Sequence, residues 1–191
     1  MKNKTISAEK KRFCKSLAII TDTREQQNSH ILKALDDMGI KHEARKLHFG
    51  DYSFRLDSGE DFTLSCIIER KSGLNEVWGN ITTDRQRFEK EIQGLFTLTG
   101  SAILLIENCP SREYLRNYTV PAWQMQAQGR KVSGIGGYID ATFRAWESAN
   151  RYRLQVHCLD GTDNTATEIL NIFYYYWRNF EEMKKPLKTA V

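Results

Sequence analysis

Apolar positions along this chain fall into short blocks separated by turn residues, and their spacing switches between a strand period and a helix period. Leu17–Ile20 is an unbroken apolar run ending at Thr21-Asp22, the pattern of a short buried strand. Ile31, Leu32, Leu35 and Met38 then line one side of a predicted helix, with Gly39 as its stop. Extended segments follow near Lys41–Phe49, Tyr52–Asp57 and Phe62–Lys71, broken by Gly50-Asp51 and by the turn Asp57-Ser58-Gly59. Phe88, Ile92, Leu95 and Phe96 recur at i, i+4, i+7 and i+8, which marks an amphipathic helix. Ala102–Ile106 reads as another buried strand, with the polar pair Glu107-Asn108 at its carboxyl end.

Pro110–Gly137, with Pro121 and several glycines, reads as a surface excursion. A helix near Tyr138–Ala149, a strand Tyr152–Leu159 and a last long helix complete the pattern. That helix carries Ile169, Ile172, Phe173, Tyr176, Trp177 and Phe180 on one wide stripe, which suits either core packing or a dimer face. Strands alternating with helices predict an α/β fold in one domain, residues 17–180. A basic tail (1–16) precedes it and a short tail (181–191) follows.

Composition narrows the class. With 40% hydrophobic and 11% aromatic residues in 191, the chain can bury a real core, which excludes wholesale disorder. No apolar run approaches the ~20 residues of a membrane span, and Leu17–Ile20 is too short for a secretory signal core, so an intracellular protein is expected. The formal charge of +4 is concentrated at the ends. Residues 1–15 carry +5 and residues 181–191 carry +1, leaving −2 on the body between them. Short lysine-rich ends serve solubility as readily as phosphate binding, so charge alone does not identify a partner. Cys14, Cys66, Cys109 and Cys158 are widely spaced and fit a reducing compartment better than a zinc site or a disulfide framework.

The chemistry concentrates between Asp22 and Lys71. Asp22-Thr23-Arg24-Glu25 lies just past a strand end, where α/β folds place their sites. Gly50-Asp51-Tyr52 puts a carboxylate in a turn, and Ile67-Ile68-Glu69-Arg70-Lys71 ends a strand. Alternation puts Glu69 and Lys71 on one face and Arg70 on the other. Carboxylates at the ends of buried strands are costly to desolvate unless something uses them. Asp51 and Glu69 are hard oxygen donors suited to Mg²⁺, and Lys71 beside them could orient water or stabilise transition-state charge. The Glu-x-Lys spacing by itself is equally met by a pair at a strand edge.

Taken in order, Asp-x-Arg-Glu, Gly-Asp-Tyr and a hydrophobic strand into Glu-Arg-Lys resemble the nuclease domain of the XPF family. These are structure-specific DNA endonucleases, the archaeal Hef enzyme among them, within the PD-(D/E)XK, restriction-endonuclease-like nucleases. Asp84-Arg85-Gln86-Arg87-Phe88 and Leu104–Glu107 extend the similarity. The resemblance implies a central mixed sheet flanked by helices, and an acidic cluster of Asp22, Asp51 and Glu69. It implies Mg²⁺ or Mn²⁺ held by Asp51, Glu69, the Arg70 carbonyl and Asp22, with Lys71 as base or electrostatic helper. Arg24 and Glu25 would stand beside them, and Arg24, Arg85 and Arg87 would meet DNA phosphates; taken singly, Arg87 is also an ordinary helix-face charge.

The resemblance further implies branched or junction-containing DNA as substrate and a homodimer, in DNA repair, recombination or phage DNA processing. Asn75, where the family usually has Asp, and Gln86, where it usually has Gly, depart from the pattern. Asn75 reads as a helix cap. No helix-hairpin-helix or helicase module is expected, which gives a stand-alone domain a phage-like aspect. A non-catalytic DNA-binding partner subunit and a protein-interaction module on a retired nuclease fold are the alternatives. Ser133–Gly137 matches no nucleophile elbow or phosphate loop, and His30, His42, His48 and His157 lack ligand spacing. Tyr118 and Trp123, near Arg116 and Arg130, suit either loop packing or stacking on unpaired bases.

Overall fold

The computed structural model describes residues 2–120 and 134–185. The middle of the expected excursion, with Trp123, Arg130 and Ser133, lies outside the described residues, as does most of the carboxyl-terminal tail. In chain order the elements are α1 (Lys2–Ser16), β1 (Leu17–Thr21), α2 (Ser29–Asp37), β2 (Lys41–Ala44), β3 (Tyr52–Leu56), β4 (Ile68–Lys71), α3 (Leu74–Thr82), α4 (Arg85–Thr99), β5 (Ile103–Ile106), α5 (Arg112–Arg116), α6 (Ile135–Glu147), β6 (Gln155–Cys158) and α7 (Thr165–Met183).

The strands form one sheet in the order β2-β1-β3-β4-β5-β6. β1 and β2 are parallel, as are β4, β5 and β6, while β3 runs antiparallel to both β1 and β4. The α/β expectation of a mixed sheet flanked by helices holds. Alternation along each strand divides the apolar residues between two cores. Ile20, Leu104 and Ile106 face α3, α4 and α6, where Phe88, Ile92, Ile139 and Trp146 are buried. Ile19, Ile103 and Leu105 face the other way, against Ile31 and Leu35 of α2 and Phe173 and Tyr174 of α7. Burying both faces is what allows strands as continuous as Ile-Leu-Leu-Ile.

Three expectations need correction. Residues 2–16 are a helix, not a tail. Phe13 is 1% exposed, stacking on Trp177 at 5.0 Å and meeting the edge of Phe54 at 5.8 Å. One aromatic anchor in a lysine-rich segment carries little periodicity, and Glu9, which accepts from the Tyr174 hydroxyl at 3.0 Å, helps to dock the helix. The extended run Phe62–Lys71 is a strand only over Ile68–Lys71, because the amides of Ser65 and Cys66 turn back onto the Phe62 carbonyl. Asn75 does not cap a helix: it lies inside α3, whose N-cap is Gly73. The stripe on α7 packs within the chain, with Trp177 on Phe13 and Phe180 edge-on to Phe62 at 5.3 Å.

Candidate active site

The carboxyl ends of β1 and β4 and the turn before β3 converge. Gly50 adopts φ 71°, and a Cβ there would meet Ile67 and the Ile68 carbonyl, so only glycine fits the bend that delivers Asp51. The bend is pinned on both sides. The Asp51 amide donates to the Ile68 carbonyl, and the Asp22 amide donates to the Asp51 carbonyl, both at 2.8 Å. Asp51 Oδ2 then accepts from the Arg70 amide at 2.7 Å.

Glu69 and Lys71 point to one side of β4, as alternation requires, and Lys71 Nζ donates to Glu69 Oε1 at 2.7 Å. The ammonium also lies 3.4 Å from Glu76 Oε1 and 5.1 Å from the Phe88 ring centroid. Burial pushes the Asp51 carboxyl well above the usual carboxylate range, and the neighbouring Glu69 charge pushes it further. Burial also raises the Glu69 carboxyl, against the pull of Lys71. Desolvation would lower the Lys71 ammonium, but its carboxylate neighbours outweigh that and hold it protonated. Among the described residues, no donor reaches Asp51 Oδ1 or Glu69 Oε2.

Asp22 is placed differently from the expectation. Its Oδ1 accepts from the Arg24 amide at 2.8 Å and Arg24 Nε at 2.6 Å. Its Oδ2 accepts from the Leu47 amide at 2.6 Å and Arg24 Nη2 at 3.2 Å. Four donors fill the acceptor directions of one carboxylate. Burial alone would raise its pKa, yet these hydrogen bonds hold it below the ordinary range. Asp22 therefore anchors Arg24 and the chain at Leu47. Among the described residues, no three or more Asp, Glu, His or Cys side chains are grouped to hold a metal, so the expected three-acid cluster reduces to Asp51 and Glu69.

A half-buried carboxylate, Asp51, and a buried one, Glu69, each with an oxygen that receives no donor and each raised by desolvation, form a donor set that fits a hard divalent cation with several waters. Asp51 and Glu69 would hold it. The Arg70 carbonyl leaves its strand on the same edge as the amide bonded to Asp51 and is the natural third donor.

On the opposite side of the sheet Arg70 enters a buried network that sequence reading missed. Its Nη1 donates to Glu107 Oε2 at 2.5 Å, and its Nη2 reaches the Gln27 carbonyl at 3.0 Å and Glu25 Oε1 at 3.3 Å. Glu107, 1% exposed, also accepts from Thr165 Oγ1 at 2.6 Å and pairs with His30 Nε2 at 2.7 Å. The only sequence signal was the polar pair Glu107-Asn108 closing a buried strand. Glu25 is thus a partner of Arg70.

A cleft of about 430 Å³ opens over the pair, lined by Arg24, His48, Phe49, Asp51, Glu69, Lys71, Glu76, Arg87, Lys90 and Glu91, among others. His48, set aside in the sequence for lacking ligand spacing, lines the cleft, and Lys90 and Glu91 were not singled out, because helix positions without a motif carry no signal. The structure separates the three arginines expected at DNA, and Arg24 lines the cleft. Arg87 lines the cleft, held 3.2 Å from Glu91. Arg85 instead donates to the Tyr138 hydroxyl at 2.9 Å and is not part of the cleft lining.

Residues 21–155 match the model of the ERCC4 domain, which covers every one of these cleft residues and most of the chain. The chain belongs to the ERCC4 domain family. Its fold is similar to XPF from Aeropyrum pernix, with a TM-score of 0.59 and 18% identity, covering 91% of this chain and 70% of that one. A second structure, XPF from Aeropyrum pernix in complex with DNA, gives the same TM-score and identity over 85% of this chain and 66% of that one. The ERCC4 chain described here thus spans about two thirds of the solved XPF chains it matches. No curated protein matches the sequence. The resemblance read from the three motifs is therefore sound: this is an XPF-family nuclease domain. Its family match is shorter than residues 17–180, leaving α1 and α7 outside.

Proposed function

We propose that this protein is a Mg²⁺- or Mn²⁺-dependent endonuclease that hydrolyses phosphodiester bonds in branched, flapped or junction-containing DNA. The observation that carries the reading is the pairing of Asp51 with Glu69 in one cleft, with the Lys71 ammonium 2.7 Å from Glu69. A bound divalent cation supplies Lewis acidity and a water of lowered pKa. The chain's own residues do the rest. Lys71 stays cationic beside the acids, where it can steady charge on the pentavalent phosphorus and orient the attacking water. Its protonation favours an electrostatic role over that of a general base. Arg24, Arg87 and Lys90 give the cleft cations that can meet flanking phosphates.

Similarity to an XPF described in complex with DNA supports DNA as the partner. Pairing of two copies rests on the habit of the family and on the α7 stripe, where Ile172, Tyr176, Trp177 and Phe180 stay partly exposed. Sedimentation giving only a monomer at micromolar concentration would remove it. A reducing cytoplasm and a place in repair, recombination or phage DNA processing are part of the same proposal. The decisive experiment incubates purified protein with labelled flap, fork and four-way-junction DNA in Mg²⁺ or Mn²⁺. Cleavage lost in Asp51→Ala supports the proposal; no cleavage by the wild type, or equal cleavage by the variant, refutes it.

A further inference from the structure

A second concave surface shares no residue with the cleft. A groove of about 650 Å³ opens between α1, the α2–β2 turn and the first turns of α7. Its apolar lining is Cys14, Met38, Ile40 and Leu170, and three lysines stand with them: Lys10, Lys11 and Lys15. Met38 is 43% exposed, high for a large apolar side chain at a turn.

The charges around the groove are unbalanced. Lys11 and Lys15 are exposed one helical turn apart, and among the described residues no carboxylate forms an ion pair with either. Like charges at this spacing repel. Lys10 donates to Asn171, a neutral acceptor. The acids nearest Met38 are already engaged, Asp36 with His42 at 2.9 Å and Asp37 with Lys33 at 2.6 Å.

We infer that the groove docks an acidic amphipathic helix from another protein, its apolar side chains against Met38 and Leu170 and its carboxylates against Lys11 and Lys15. Helix-in-groove recognition needs an apolar trough for one face of the helix and complementary charge at its edge, and both are present. Nucleic acid would use the lysines but leave the apolar lining unfilled. A bilayer takes up protruding apolar side chains, whereas these line a hollow. The lysines, Cys14 and Leu170 lie outside the family match, and no groove residue lines the cleft, so the inference does not depend on the nuclease reading.

The test is fluorescence anisotropy on the full chain. The probe is a labelled peptide of about 15 residues, roughly four helical turns, with leucine and glutamate at amphipathic spacing. A scrambled peptide of equal composition and a leucine–lysine counterpart serve as controls. Binding of the acidic amphipathic peptide alone, weakened about tenfold or more by Lys11→Glu/Lys15→Glu and by Met38→Asp, is expected. All three positions are exposed, so circular dichroism melts should match the wild type, and DNA cleavage should be unchanged. Any of four results overturns the inference: no binding, equal binding of the scrambled peptide, equal binding by the variants, or equally tight groove-dependent binding of oligo-dT or phosphatidylglycerol vesicles. Self-association of the chain that these variants abolish would also overturn it, assigning the groove to a second copy.

Discussion

The Arg70 amide donates to Asp51 Oδ2 at 2.7 Å, so one hydrogen bond ties the turn bearing one acid to the strand bearing the other. The same residue sends its side chain through to Glu107 on the opposite side of the sheet. The separation of the two acids is thereby set by buried backbone and not by their own flexible side chains.

That arrangement holds two like charges together at a cost. Asp51→Asn should abolish DNA cleavage, a loss of at least about a hundredfold, yet raise the Tm of the metal-free protein. A gain of 1 kcal/mol corresponds to about 2–4 °C at this size. Because the native Asp51 pKa is raised, its penalty is fully present at high pH and vanishes as pH falls toward the ordinary value near 4. Melts in EDTA from pH 4 to 8 should therefore show the variant's advantage widening with pH. Mg²⁺ should stabilise only the wild type.

Asp22 makes the opposite prediction. Its native pKa is depressed, so its stabilisation is present above about pH 4 and is lost as pH falls through the native value. Asp22→Asn should destabilise the protein by about 1–3 kcal/mol at pH 7, through the buried Leu47 amide and the lost charge on Arg24. Denaturant titrations should show the deficit shrinking below pH 4. An undiminished deficit at low pH would argue against a charge-held anchor.

Breaking the buried Arg70–Glu107 pair from one side should be severe. Glu107→Gln leaves a guanidinium 4% exposed with Glu25 as its remaining charge partner, costing about 3 kcal/mol. The double variant Arg70→Met/Glu107→Gln should recover much of that stability but not cleavage, since Arg70 also holds Glu25 and Gln27. Calorimetry of the single and double variants decides it.

Arg87 and Arg85 should separate in DNA binding. Arg87→Ala should weaken binding and lower the slope of log affinity against log salt by about one, as expected for one lost phosphate contact. Arg85→Ala should leave both unchanged, because its guanidinium is engaged with Tyr138. Equal effects would place the DNA path outside the cleft.

Much of this was readable along the chain. Local apolar periodicity located β1, α4, β5 and α7, because one buried face imposes its spacing on the residues themselves. Alternation alone placed Glu69 and Lys71 together and Arg70 apart. α1 escaped because its lysine-rich segment carries a single buried aromatic, Phe13, and the start of α3 was misplaced at Asn75 because its cap, Gly73, offers no side chain.

The order of the motifs determined the family, and the residue types determined that two acids and an amine were the chemistry to look for. Only the folded chain decided which acids meet. Asp22 and Asp51 are adjacent through a backbone hydrogen bond, yet Arg24 and Leu47 claim the first and leave the second exposed to Glu69. Hydrogen-bond satisfaction depends on partners distant along the chain, as with Leu47 for Asp22 or Glu107 for Arg70, and no local pattern encodes it.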